Sequence, residues 1–145
     1  MGNVATGQRG DEAHASPDSP IPRPPVPLSV GVDIVEIARI ERALQRWGER
    51  FLERVYTPAE VAYCRGRVSE LAARFAAKEA ISKALGTGLR GIDWREMEIL
   101  PDERGKPLVT LHGRARQRAE ALGLTHFAVS LSHSREYAIA LVVAS

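Results

Sequence analysis

The sequence predicts a single domain of mixed helices and strands, α+β in class, and three observations carry that prediction. Residues 71–88, LAARFAAKEAISKALGTG, are alanine-rich, free of proline and closed by Gly86, which specifies a long helix with a left-handed cap. Residues 28–35, LSVGVDIV, place Leu28, Val30, Val32 and Ile34 on one face and Ser29, Gly31, Asp33 and Val35 on the other. That alternation is a strand. Two apolar runs flank the turn PDERGKP at 101–107, with Gly105 near its tip, and together they read as a hairpin.

The 145 residues leave room for one folded domain, expected over 29–145. The first 28 residues hold six of the nine prolines and no aromatic residue. They read as a disordered or extended tail, without the basic start and apolar segment of a signal peptide. Residues 29–145 carry 18 of the 20 basic and 15 of the 18 acidic side chains. This mild positive excess argues against a nucleic-acid binder, which needs clustered cations with interleaved aromatics. It suits a small phosphorylated ligand or an acidic protein partner. One cysteine, Cys64, cannot form an internal disulfide, fits a cytoplasmic location and reads as a buried structural thiol. No apolar run approaches a membrane span.

The elements follow in order. After the first strand, Ile37, Ile40, Leu44 and Trp47 mark a helix stripe over 36–47, with charge on its outer face. Phe51, Leu52 and Val55 add core. Thr57-Pro58-Ala59-Glu60 supplies an N-cap, a proline at the first helical position and a capping-box glutamate, so a short helix runs to about Arg65. The long helix comes next, then a turn that Asp93 can cap. Residues 97–100 and 108–111 form the hairpin, 113–122 a helix ended by Gly123, and 127–132 a strand. Residues 137–143, YAIALVV, read as a buried strand.

The long helix has an unusual charge pattern. Arg74, Lys78 and Ser82 share a face with Leu71, Phe75, Ile81 and Leu85, and Ala73, Ala77, Ala80 and Ala84 form the opposite one. A helix this apolar is buried, and buried charges need partners. Arg74 and Lys78 are a like-charged i,i+4 pair that an anion between them would favour. Lys83 adds a third cation, and Gly86-Thr87-Gly88 a backbone able to approach phosphate closely. Glu79 is either one half of a solvated i,i+4 pair with Lys83 or a ligand for magnesium. Asp33 is either a cap at the strand end or the second carboxylate such a metal needs. His133, between the last two strands, is either a turn residue or an imidazole presented at the sheet edge. His112 and His126 attract no hypothesis. No zinc-ligand spacing, Walker-type loop or nucleophile elbow is present.

VGVDIVEIARI, ARFAAKEAISKALGTG, the GKP turn and VSLSHSREYAIA together resemble the holo-acyl-carrier-protein synthase family, the small branch of the 4′-phosphopantetheinyl transferases. The likeness covers residues 29–144. It implies an α+β fold with a mostly antiparallel sheet on one long central helix. It also implies a magnesium-dependent reaction in which phosphopantetheine passes from coenzyme A to a serine of apo acyl carrier protein, with release of adenosine 3′,5′-bisphosphate. By the same likeness Asp33 and Glu79 would ligate magnesium, and Glu79, Lys83 and His133 would be the catalytic group. Coenzyme A would meet Arg74, Lys78, Lys83, Gly86, Thr87, Gly88 and His133. Arg39 would dock the acidic carrier protein, and the assembly would be a homotrimer with coenzyme sites between subunits. Two other readings use the same residues: a noncatalytic binder of coenzyme A or a nucleotide, and a metal-dependent pyrophosphate hydrolase.

Overall fold

The computed structural model describes residues 18, 20, 21 and 26–145. Most of the tail expected to be disordered therefore lies outside the described residues. Strand β1 (Ser29–Glu36) leads into helices α1 (Ile37–Trp47), α2 (Glu49–Val55), α3 (Pro58–Cys64) and α4 (Val68–Ala84). A 3-10 turn (Trp94–Glu96) precedes the hairpin β2 (Met97–Pro101) and β3 (Pro107–Leu111). Helix α5 (Gly113–Ala121) and strands β4 (Phe127–His133) and β5 (Tyr137–Ala144) complete the domain. The main sheet has the order β1-β5-β4 and the hairpin forms its own two-stranded sheet, every pair being antiparallel.

The alanine content of α4 explains how it packs. Ala72, Ala73, Ala76, Ala77, Ala80 and Ala84 are all buried, as are Ala138, Ala140 and Ala144 on β5. Small side chains on both surfaces let helix and sheet approach closely. Gly31 of β1 meets the helix backbone itself, since a Cβ there would lie 1.9 Å from the Ala80 carbonyl oxygen. The face of β1 that covers the helix is therefore the one bearing Gly31, Asp33 and Val35. The more apolar face, Val30, Val32 and Ile34, is left 49–61% exposed.

The last strand departs from expectation in the same way. YAIALVV is buried on one face only, and Ile139, Leu141 and Val143 remain 40–44% exposed. They pair in register with Ile34, Val32 and Val30. A continuous apolar run predicts burial on both faces, but the described residues supply a helix to only one. Helix α2 is a further departure: Gly48 at φ +54° breaks the stripe of α1, and a new helix starts after it.

Helix α3 begins as the sequence specified. The Thr57 hydroxyl accepts from Glu60 N at 3.2 Å, and Glu60 Oε1 accepts from Thr57 N at 2.9 Å. Glu60 does more than cap, since it is fully buried and its Oε2 accepts from Ile99 N at 2.9 Å. That bond ties α3 to the hairpin. Cys64 is buried, and burial pushes its thiol up to about 11, an inert structural position.

Candidate active site

Asp33 enters the site because Gly31 has already turned its face of β1 toward α4. It lies three residues inside the strand, and α1 has no side-chain N-cap at all. The capping alternative for Asp33 is thereby excluded. Its Oδ1 instead accepts from Lys83 Nζ at 3.1 Å, and the same ammonium donates to Val32 O at 2.9 Å. Lys83 thus bends to the strand rather than to Glu79, one turn back on its own helix. The simple Glu79–Lys83 pair does not form.

Glu79 is half-buried between these elements. Burial, and then the negative charge of Asp33, push its carboxyl above the ordinary carboxylate range, and Lys83 and Arg39 only partly offset them. A carboxylate opposed by burial and by the charge of its neighbour forms, with that neighbour, a donor set that a hard cation would relieve. Among the described residues no group of three or more His, Cys, Asp or Glu side chains is placed for a metal. A closed zinc-type shell is therefore absent, while a two-carboxylate site completed by water and phosphate fits magnesium.

Arg74 and Lys78 behave differently from the expected anion clamp. Each has its own carboxylate from the protein. Arg74 Nη1 lies 2.7 Å from Glu70 Oε2, Nε donates to Ile99 O at 3.0 Å, and the guanidinium stacks 4.5 Å from the Tyr63 ring centre. Lys78 has no exposed side-chain surface, and its ammonium donates to Glu60 Oε1 at 2.7 Å and to the carbonyls of Trp94 and Met97. Burial pulls Lys78 below the usual lysine range, while Glu60 draws it back up. The sequence set Lys78 against coenzyme A; in the structure its enclosed ammonium has three acceptors within the chain and joins α3, α4 and β2.

Arg74 retains one connection to the surface. With Lys106 and His133 it lines a cavity of about 470 Å³ between the GKP turn and β4. None of Asp33, Glu79 and Lys83 lines this cavity. Arg74 precedes Glu79 by five residues, about 7.5 Å along the helix and 140° around it. The expected coenzyme residues thus fall into two groups on different faces of α4. The Gly86-Thr87-Gly88 segment follows the C-terminal end of α4, leaving it through Gly86 at φ +76°.

A second cavity, about 530 Å³, was not legible in the sequence. Arg39, Arg50 and Arg54 surround it, with Trp47, Phe51, Phe75 and Trp94 among its apolar walls. Arg39 is the hinge of this geometry, 5.6 Å above the Phe75 ring and electrostatically felt by Glu79. Arg50 and Arg54 stand on α2, a segment from which the sequence offered only Phe51, Leu52 and Val55 as core. The recurrence of arginine at 39, 46, 50 and 54 was the available signal.

The comparisons with known proteins agree with one another. Residues 29–142 match the 4′-phosphopantetheinyl transferase superfamily. The holo-acyl-carrier-protein synthase of Herpetosiphon aurantiacus is 55% identical over 123 residues, covering 80% of this chain and 97% of that protein. That of Dehalococcoides mccartyi is 52% identical over 117 residues, covering 81% and 98%. Among solved structures, the Helicobacter pylori holo-acyl-carrier-protein synthase in complex with coenzyme A matches with a TM-score of 0.74 and 37% identity, over 80% of this chain and 99% of that one. The Neisseria meningitidis synthase matches with a TM-score of 0.75 and 36% identity, over 81% and 97%. The family match over residues 29–142, identities above one half to relatives covered almost end to end, and an antiparallel α+β frame shared with the solved enzymes place the chain: it belongs to the holo-acyl-carrier-protein synthase family of the 4′-phosphopantetheinyl transferase superfamily.

Proposed function

We propose that the chain transfers 4′-phosphopantetheine from coenzyme A to a serine of apo acyl carrier protein and releases adenosine 3′,5′-bisphosphate. The observation that carries this reading is the Asp33–Glu79 carboxylate pair with Lys83 fixed beside it. Asp33 and Glu79 would hold magnesium, which when bound neutralises the pyrophosphate and the charge growing on the leaving phosphate. Lys83, half-exposed and oriented by Val32 O and Asp33, presents an ammonium to the same phosphates. The serine hydroxyl attacks the β-phosphorus and gives up its proton, for which Glu79, held above the usual carboxylate range, is a suitable acceptor. The bond from that phosphorus to the bridging oxygen breaks, and its electron pair leaves with adenosine 3′,5′-bisphosphate.

The arginine-rimmed groove fits the acidic carrier protein, with Arg39 at its junction with the carboxylate pair. Arg74, Lys106 and His133 supply cationic and polar groups for the distal phosphate of coenzyme A. Because they lie on another face of α4, one coenzyme would be shared between the Lys83 side of one subunit and the His133 side of a neighbour. The open apolar face of the main sheet, centred on Val32 and Leu141, gives a homotrimer its contact surface.

Chromatography of the nucleotide product tests the reaction class. Release of adenosine 3′,5′-bisphosphate only when apo carrier protein is present supports transfer. Release from coenzyme A alone would make the protein a hydrolase, and none under either condition would leave a coenzyme-binding module.

A further inference from the structure

A helix C-terminus is a poor place for phosphate, because it carries about half a negative charge and carbonyls with no intrahelical donor. The 86–88 loop leaves α4 at such an end. The structure covers each of the last five carbonyls there. Ile81 O accepts from Leu85 N at 2.9 Å, Ser82 O from Gly88 N at 3.2 Å and Lys83 O from Gly86 N at 3.0 Å. Side chains distant in sequence take the other two. The Ser29 hydroxyl donates to Ala84 O at 2.6 Å, and Arg118 Nε donates to Leu85 O at 3.1 Å.

Arg118 is the only one of these donors that also brings a charge. It projects from α5, is half-buried, and its Nη2 lies 3.7 Å from where a Cβ on Gly86 would be. No carboxylate pairs with it among the described residues. An arginine has five N–H donors, and among the described residues only Nε is taken here. We infer that Arg118 is a positioning residue for coenzyme phosphate, neutralising the C-terminal end of α4 and holding Gly86 so that the 86–88 loop can accept an anion; this rests on reading 86–88 as the coenzyme loop.

Steady-state transfer by the full chain, with coenzyme A varied at saturating apo carrier protein and magnesium, compares Arg118→Gln with Arg118→Lys. Glutamine keeps an N–H for Leu85 O and loses the charge, while lysine keeps the charge. Arg118→Gln is expected to raise KM for coenzyme A about tenfold, with kcat within about twofold and KM for the carrier unchanged. Arg118→Lys should return to within about threefold of the wild-type KM. A wild-type KM in Arg118→Gln, equal impairment of the two variants, or kcat and both KM values moving together would overturn the assignment. Loss of the fold in both variants would overturn it as well, showing a role confined to stability. If the wild-type chain transfers nothing, the transferase reading fails by itself, and calorimetric binding of coenzyme A still decides: about tenfold weaker binding by Arg118→Gln supports the assignment, and equal binding refutes it.

Discussion

Gly31 lies so close to Ala80 that a methyl group on it would sit 1.9 Å from the Ala80 carbonyl oxygen and 3.1 Å from Ala84 N. Neither atom is the end of a flexible side chain, so the sheet would have to lift from the helix. Asp33, two residues along the same face, would move away from Glu79 and Lys83 with it. Gly31→Ala is expected to lose about 3 kcal/mol of stability in urea unfolding, at the upper end for an overpacked core. Transfer should fall in parallel even under conditions where the variant remains folded.

Lys78 and Glu60 are both fully buried and 2.7 Å apart. Removing one partner leaves an uncompensated charge in the core, at a cost of about 3–5 kcal/mol. Lys78→Ala and Glu60→Ala should therefore each lower the unfolding midpoint strongly. Residual folded Lys78→Ala should bind coenzyme A with the wild-type KM. A raised KM without loss of stability would return Lys78 to the coenzyme site.

Glu79 makes its own prediction about pH. Its folded carboxyl holds a proton more tightly than in the unfolded chain, because of burial and Asp33. The folded state therefore binds more protons across that interval, and stability falls as pH rises from the ordinary carboxylate range through the raised value. Glu79→Gln should remove this slope and raise the metal-free thermal midpoint at neutral pH by a few degrees while abolishing transfer. Equal or lower stability of the variant at neutral pH, in melts across pH 4–8, would contradict the environment assigned to Glu79.

The open sheet face is tested by charge. Val32 and Leu141 are direct cross-strand partners, 49% and 44% exposed. Val32→Glu and Leu141→Glu should convert the proposed trimer to monomer in light scattering, leave circular dichroism unchanged, and cost most of the transfer activity. A wild-type chain already monomeric at micromolar concentration would remove the basis for a shared coenzyme site.

Much of this was legible in the sequence, for physical reasons particular to each residue. Thr57 and Glu60 form the capping box their spacing specifies, and Asp93 caps the 3-10 turn. The alternation over 28–35 located β1 but could not say which face is covered. The inward face was chosen by the alanines of α4, which accept Gly31 and exclude a row of Val and Ile. The charges of α4 showed that partners were needed without naming them. Glu60 for Lys78 comes from 18 residues earlier, across a turn that local spacing cannot span. Arg118, 33 residues from Leu85, was hidden for the same reason.

The intact mass of purified apo acyl carrier protein, after incubation with the protein, coenzyme A and magnesium, tests the central claim most directly. The expected result is a gain of one phosphopantetheine, abolished by a chelator and by Asp33→Ala, with losses of about a thousandfold or more in rate. An unchanged carrier mass with the wild-type protein would contradict phosphopantetheinyl transfer. Full conversion by Asp33→Ala, or in the presence of chelator, would contradict the two-carboxylate metal centre on which the account rests.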